Sequence, residues 1–154
     1  MSRHSATAAR LAFDTPEDRV RSLATLLGIG SILFGSLPVI SPHAFGRIFG
    51  SQVGSDPSTA AAYRSLGVRE VVMGVGLWSA AYHGGHYAPW LLARMLIDVG
   101  ASGAGLLAMR QGSRRPGFVA LVGLSIGTAL GSYMLWKDAR RVDSRASGAA
   151  LITG

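Results

Sequence analysis

The sequence predicts an all-α protein, a four-helix transmembrane bundle with short loops. Three observations carry this expectation. Only 15% of the 154 residues are charged, against 49% hydrophobic, whereas a soluble domain carries about 25% charged residues. The charges gather at the ends of long apolar stretches, so that 22–46, 71–93 and 116–136 contain no Asp, Glu, Lys or Arg. Pro16, Pro57, Pro89 and Pro116 each precede one apolar segment, and proline is favoured at the first helical position because its missing N–H has no partner there anyway. A chain of this length holds one domain.

The elements follow in order. Residues 1–15 read as a polar N-terminal tail containing Asp14, with Glu17 and Asp18 just beyond and no apolar run. That is not the pattern of a secretory leader, so the first span is expected to be retained. The transmembrane domain, 16–141, is expected to hold spans at about 16–40, 57–83, 89–111 and 116–141, since a bilayer core roughly 30 Å thick needs about 20 helical residues. Thr15 with Asp18 three residues on resembles a capping box, and Asp56 is placed to cap the second span. Pro38 is expected to kink the end of the first span. After Pro42, the segment HAFGRIFG reads as a short interfacial turn whose Phe45 and Phe49 rest in the headgroup layer, with His43 a turn residue. Trp78 is expected in the core or facing lipid. Tyr82, Tyr87 and Trp90 flank the interfacial YHGGHY connection, and Trp136 beside Lys137 reads as an interface anchor. Residues 142–154 read as a polar C-terminal tail.

The formal charge of +7 sits mostly at span ends, as in RQGSRR and KDARRVDSR, where each cation meets anionic headgroups for about 1 kcal/mol. The lipid bilayer is thus the expected partner, and nucleic acid is not, because no aromatic platform or recognition helix accompanies the charge. Four spans put both termini on one side. Arg3, Arg10, Arg19 and Arg21 precede or open the first span and Lys137, Arg140, Arg141 and Arg145 end or follow the last, against Arg47, Arg110, Arg114 and Arg115 on the other side, with Arg64 at its edge. This favours cytoplasmic termini in a multi-pass protein of the cell's inner or plasma membrane.

Small residues recur at packing intervals. Gly123, Gly127 and Gly131 form a doubled small-xxx-small run in the fourth span, which lets a neighbouring backbone approach closely. It suits a homodimer through the fourth span, or packing within a compact bundle, and the packing is the expectation; any protein partner is expected to be a second copy in a homo-oligomer or another membrane protein. The first span offers Ala24 with Gly28 and Ser31 with Gly35, and the third offers Gly100 with Ala104 and Ala101 with Gly105. Gly74 with Gly76 and Gly103 with Gly105 lack the third glycine and the preceding strand of a nucleotide-binding turn. With no cysteine, thiol redox chemistry and Cys-based metal sites are excluded. His83 and His86 lie three apart without an acidic partner nearby and read as loop residues, so no metal or other cofactor is expected.

The informative residues are Arg69, Glu70, Arg94 and Asp98, charges placed inside spans. Each costs about 2.5–3.5 kcal/mol at mid-helix, so four left unpaired would cost on the order of 10 kcal/mol, comparable with a domain's whole stability. They must pair, face the interior, or sit near the interface. Arg94 and Asp98 are one turn apart on one face, and Arg69 approaches from the antiparallel neighbour. Glu70 shares a face with Tyr63, Gly67 and Gly74, and Asp98 with Ala101 and Gly105. Two readings stand side by side. In one, Glu70 and Asp98 are candidate catalytic acids, bases or ligands, with Arg69 and Arg94 as counter-charges or anion binders. In the other, all four form a buried ion-pair cluster that fixes helix register.

PHAFGRIFG after the first span, AYRSLGVREVVMGVGLW opening the second, and an Arg and an Asp in the third resemble domain-of-unknown-function family four-two-six-seven, small bacterial and fungal membrane proteins related to the DoxX-like four-helix group. The resemblance covers about residues 22–138, and its most specific element is Gly67-Val68-Arg69-Glu70. It implies a four-helix membrane bundle with Arg69, Glu70 and Asp98 as its polar positions, and implies no particular reaction. Three functions are compatible with these residues. The chain is expected to be an accessory or structural membrane component; the alternatives are a membrane-embedded enzyme acting on a lipophilic substrate through Asp98 or Glu70, and a small oligomeric transporter.

Overall fold

The computed structural model describes residues 15–49, 57–112 and 115–152. They form five helices: α1 (Pro16–Ile40), α2 (Pro42–Ile48), α3 (Pro57–His83), α4 (Ala88–Arg110) and α5 (Pro116–Ile152). The helix starts follow local chemistry. Thr15 caps α1, its hydroxyl oxygen accepting the Asp18 N–H at 3.1 Å, and Pro16 supplies the preset φ of the first turn. Ser41 serves twice, as the C-cap of α1 and as the N-cap of α2, where its side chain accepts the Ala44 N–H. Gly84 ends α3 with a φ of +65°, a left-handed conformation that costs glycine nothing. The predicted Asp56 cap lies outside the described residues, as do the N-terminal residues 1–14.

Three of these helices, α1, α4 and the Pro116–Arg141 part of α5, are long and apolar enough to cross a membrane. α3 has the length but not the composition, because Arg64, Arg69 and Glu70 crowd its first half among serine and glycine. The expected four equivalent spans are thus three apolar helices and a fourth, more polar one, with α2 as a fifth, short helix. The last helix also runs beyond the predicted boundary at 141, to Ile152. No proline follows Pro116 in the sequence to stop it.

Two helix pairs make up the bundle. α1 and α3 lie antiparallel along much of their length, brought together by facing glycines. A Cβ at Gly28 would meet the Gly74 carbonyl at 2.8 Å, and one at Gly35 would meet the Gly67 carbonyl at 2.6 Å. Backbones this close gain dispersion contacts that larger side chains would forbid. Ala24, Gly28, Ser31 and Gly35 are all buried on that seam, so the small residues predicted for the first span are its packing face. Pro38 is buried there as well and packs on α3 at Gly67. α4 and α5 form the second pair, joined where Val122 fills the space over Gly105.

The pairs meet at one end. Val20 and Ala24 of α1, Leu77, Ala80 and Ala81 of α3, Leu91 of α4, and Leu135 and Ala139 of α5 form a single core cluster with Tyr87. Arg21 crosses to α3 there, donating from Nε to the Ala81 carbonyl at 2.9 Å. The opposite end is closed differently. Phe45 of α2 stacks edge-on against Phe34 at 5.6 Å and against Tyr63 at 5.2 Å, and the Phe49 backbone sits on Gly117 at the start of α5. Phe45 is fully buried, which corrects its expected place in the headgroup layer: aromatic partners from α1 and α3 claim the ring.

The glycines of α5 depart from expectation in the other direction. Gly123, Gly127 and Gly131 are exposed, and a Cβ on any of them would meet no atom within 4 Å. They do not pack within the bundle. α5 turns a different face inward, through Val122, Ala129, Ser132, Leu135 and Ala139, and the glycines lie on its outer side. Gly100 of α4 is open as well.

Candidate functional site

All four predicted charges come together midway along the bundle. α3 carries Arg69 and Glu70 and α4 carries Arg94 and Asp98; at 1.5 Å per residue, Glu70 stands about 20 Å from the end of α3 and Asp98 about 15 Å from the start of α4. Glu70 is the hub. It accepts from Arg69 Nη2 at 3.2 Å through one carboxylate oxygen and pairs with Arg94 Nη1 at 3.3 Å through the other. Arg94 Nε faces Asp98 Oδ2 at 3.5 Å, one turn along α4. Glu70, Arg94 and Asp98 are all buried, and Arg69, whose side chain is 36% exposed, lies at the edge.

The network binds three helices. Arg94 Nη1 also donates to the Ser31 hydroxyl, and that hydroxyl donates to the Leu27 carbonyl of α1 at 2.8 Å. Thr128 of α5 faces the Asp98 carboxylate from the fourth side. Sequence reasoning assigned Ser31 to helix packing alone. Its place three residues after Gly28, on the same face as the antiparallel neighbour, was the available signal, yet a polar role depended on knowing how α4 sits. Thr128 carried no signal, since helical hydroxyls commonly bond their own backbone, as Thr128 does to Leu124 at 3.0 Å.

The charges form one wall of a cavity of about 770 Å³ between the two helix pairs. Its other walls are largely apolar: Leu23, Leu27 and Phe34 from α1, Leu66 from α3, Ala101, Ala104 and Ala108 from α4, and Phe118, Leu121 and Val122 from α5. Leu26 of α1 and Leu124 of α5 line it too, and they are 65% and 47% exposed. The cavity is therefore a cleft that opens sideways between α1 and α5.

Three polar atoms on the charged wall make no hydrogen bond. Arg94 Nε and Asp98 Oδ2 are both buried and without a hydrogen-bond partner, as is Arg69 Nε. Arg94 Nε and Asp98 Oδ2 face each other as an ion pair at 3.5 Å, longer than a well-formed hydrogen bond. The predicted histidines take no part. His83 lies at the end of α3 with Nδ1 at 3.0 Å from the Ser79 carbonyl, and among the described residues no three His, Cys, Asp or Glu side chains gather where a metal ion could be held.

The chain matches no family model, no curated protein and no solved structure.

Proposed function

We propose that this protein is a small four-span component of the membrane that holds a lipophilic molecule in the cleft between its two helix pairs. The observation that carries the reading is the cleft itself. It is apolar along its length, wide enough for a drug-sized ligand, and ends on a few convergent polar groups, the combination that characterises small-molecule sites. The more polar α3 counts as the fourth span because Glu70 is spent on Arg69 and Arg94 and does not face lipid. The termini share a side, and the excess of basic residues around them favours the cytoplasm.

The four charges are also a structural device: they pin α1, α3 and α4 in register and hold the polar end of the cleft rigid. That agrees with an accessory component whose role is to bind and present a molecule. A second reading is favoured by the Asp98 carboxylate oxygen that makes no hydrogen bond. With a substrate in the cleft, Asp98 or Glu70 acts as acid or base upon it. Turnover of a cleft-bound substrate that survives both Asp98→Asn and Glu70→Gln counts against this second reading.

Mass spectrometry of small molecules that co-purify with the detergent-extracted full-length protein tests the primary reading. A lipophilic species near one per chain is expected with the wild type, reduced at least several-fold in Leu26→Trp, whose larger ring obstructs the opening. Equal recovery from both proteins, or none from either, contradicts the reading.

A further inference from the structure

The charged wall specifies the head group of the molecule. Two guanidinium groups, Arg69 and Arg94, face two carboxylates, Glu70 and Asp98, so the formal charges cancel. A cationic head would enter beside two arginines and an anionic head beside two carboxylates. Either would leave one uncompensated charge at mid-membrane depth, where even one costs several kcal/mol in hydrocarbon. The polar group that fits is uncharged.

Its hydrogen-bonding character follows from two of these atoms. Arg94 Nε, a donor, and Asp98 Oδ2, an acceptor, hold each other only as an ion pair 3.5 Å apart, and neither makes a hydrogen bond. A hydroxyl is the smallest group that serves both, its oxygen accepting from Nε while its O–H donates to Oδ2. A carbonyl or ether serves only the first. The opening between Leu26 and Leu124 leads into hydrocarbon rather than into a headgroup layer, so the remainder of the molecule is a chain or ring system that travels within the bilayer.

We propose that the cleft takes a hydroxyl-bearing hydrocarbon, a long-chain or polycyclic alcohol, which slides in from the bilayer between α1 and α5 and docks its hydroxyl on Arg94 and Asp98. This rests on the reading of the cleft as a lipophilic-ligand site and adds the chemical class.

The test is photolabelling of the full-length protein in phosphatidylcholine nanodiscs, with hexadecanol carrying a mid-chain diazirine as the probe and peptide mass spectrometry to map the label. Unlabelled hexadecanol, hexadecane and hexadecyl sulfate compete at equal mole fractions in the bilayer. Label on cleft residues such as Ala101 and Val122 is expected. Hexadecanol should displace it at a mole fraction about tenfold lower than either competitor, the margin one hydrogen-bonded charged group provides. Asp98→Asn should shrink that margin several-fold. Cleft labelling displaced equally well by hexadecane and hexadecanol overturns the hydroxyl assignment and leaves the lipophilic site standing. Strongest displacement by hexadecyl sulfate overturns the charge argument. Label spread over the outer faces of the helices, with none in the cleft, overturns the proposal together with the reading beneath it. If Asp98→Asn does not fold, the competitor series on the wild type decides alone.

Discussion

Arg94 is the residue on which the polar interior depends. It alone touches Glu70, Asp98 and Ser31, and so connects α4 to both members of the first helix pair. Removing one partner of a buried ion pair strands the others as uncompensated charges, which costs about 3–5 kcal/mol. Replacing the whole set by neutral groups is far cheaper, because the desolvation cost disappears with the charges. Arg94→Leu is therefore expected to lower the midpoint of thermal unfolding in detergent severely, and the quadruple change Arg69→Gln, Glu70→Gln, Arg94→Leu, Asp98→Asn, which removes all four charges, to recover most of the loss. A quadruple variant no more stable than Arg94→Leu would contradict a network held by charge balance. The sequence already identified these four residues, because a charge inside an apolar span announces its own need for a partner. It could not say that Glu70 is the hub. That depends on which face α4 turns toward α3.

Glycine runs in this chain have opposite meanings in different helices. Gly28 and Gly35 of α1 meet Gly74 and Gly67 of α3 backbone to backbone, whereas Gly123, Gly127 and Gly131 of α5 face outward into open space. All satisfy the same small-xxx-small or seven-residue spacing, and spacing alone does not reveal which face a helix buries. α5 buries the face of Val122 and Ala129 because its partner α4 presents Gly105 there, a pairing set by tertiary context. The contrast yields a comparison. Gly67→Ala forces α1 and α3 apart and should cost about 1–3 kcal/mol, the range for overpacking a close contact. Gly127→Ala meets nothing within the chain and should leave folding unchanged or raise stability by up to about 1 kcal/mol, the difference in helix propensity. Thermal unfolding of the two variants in the same detergent checks both, and equal destabilisation would contradict the glycine seam. α2 makes a similar point: its phenylalanines looked interfacial because they flank a short polar turn, yet Phe34 and Tyr63, distant in sequence, enclose Phe45.

For the whole molecule, the arrangement is a bundle knit at one end by an aliphatic core, plugged at the other by aromatic rings, and parted along its middle. The helices themselves were legible from proline placement and charge-free length, and three of the four long boundaries fall within a residue of expectation. The cleft was not legible, because it arises from how two tight pairs stand apart from each other, and no pattern in either pair encodes the gap. Its lateral opening decides what can enter between the helix pairs, and the absence of cysteine from the chain makes that opening directly measurable. Leu26→Cys and Ala104→Cys, each carrying a nitroxide in reconstituted bilayers, report collision with oxygen, which concentrates in hydrocarbon, and with a water-soluble nickel chelate. Both labels are expected to be accessible to oxygen and shielded from nickel, with the label at 104 losing oxygen access when Leu26 is replaced by Trp. Ready collision of either label with the nickel chelate would mean that water, not the bilayer, fills the space between the helix pairs, and would contradict the account.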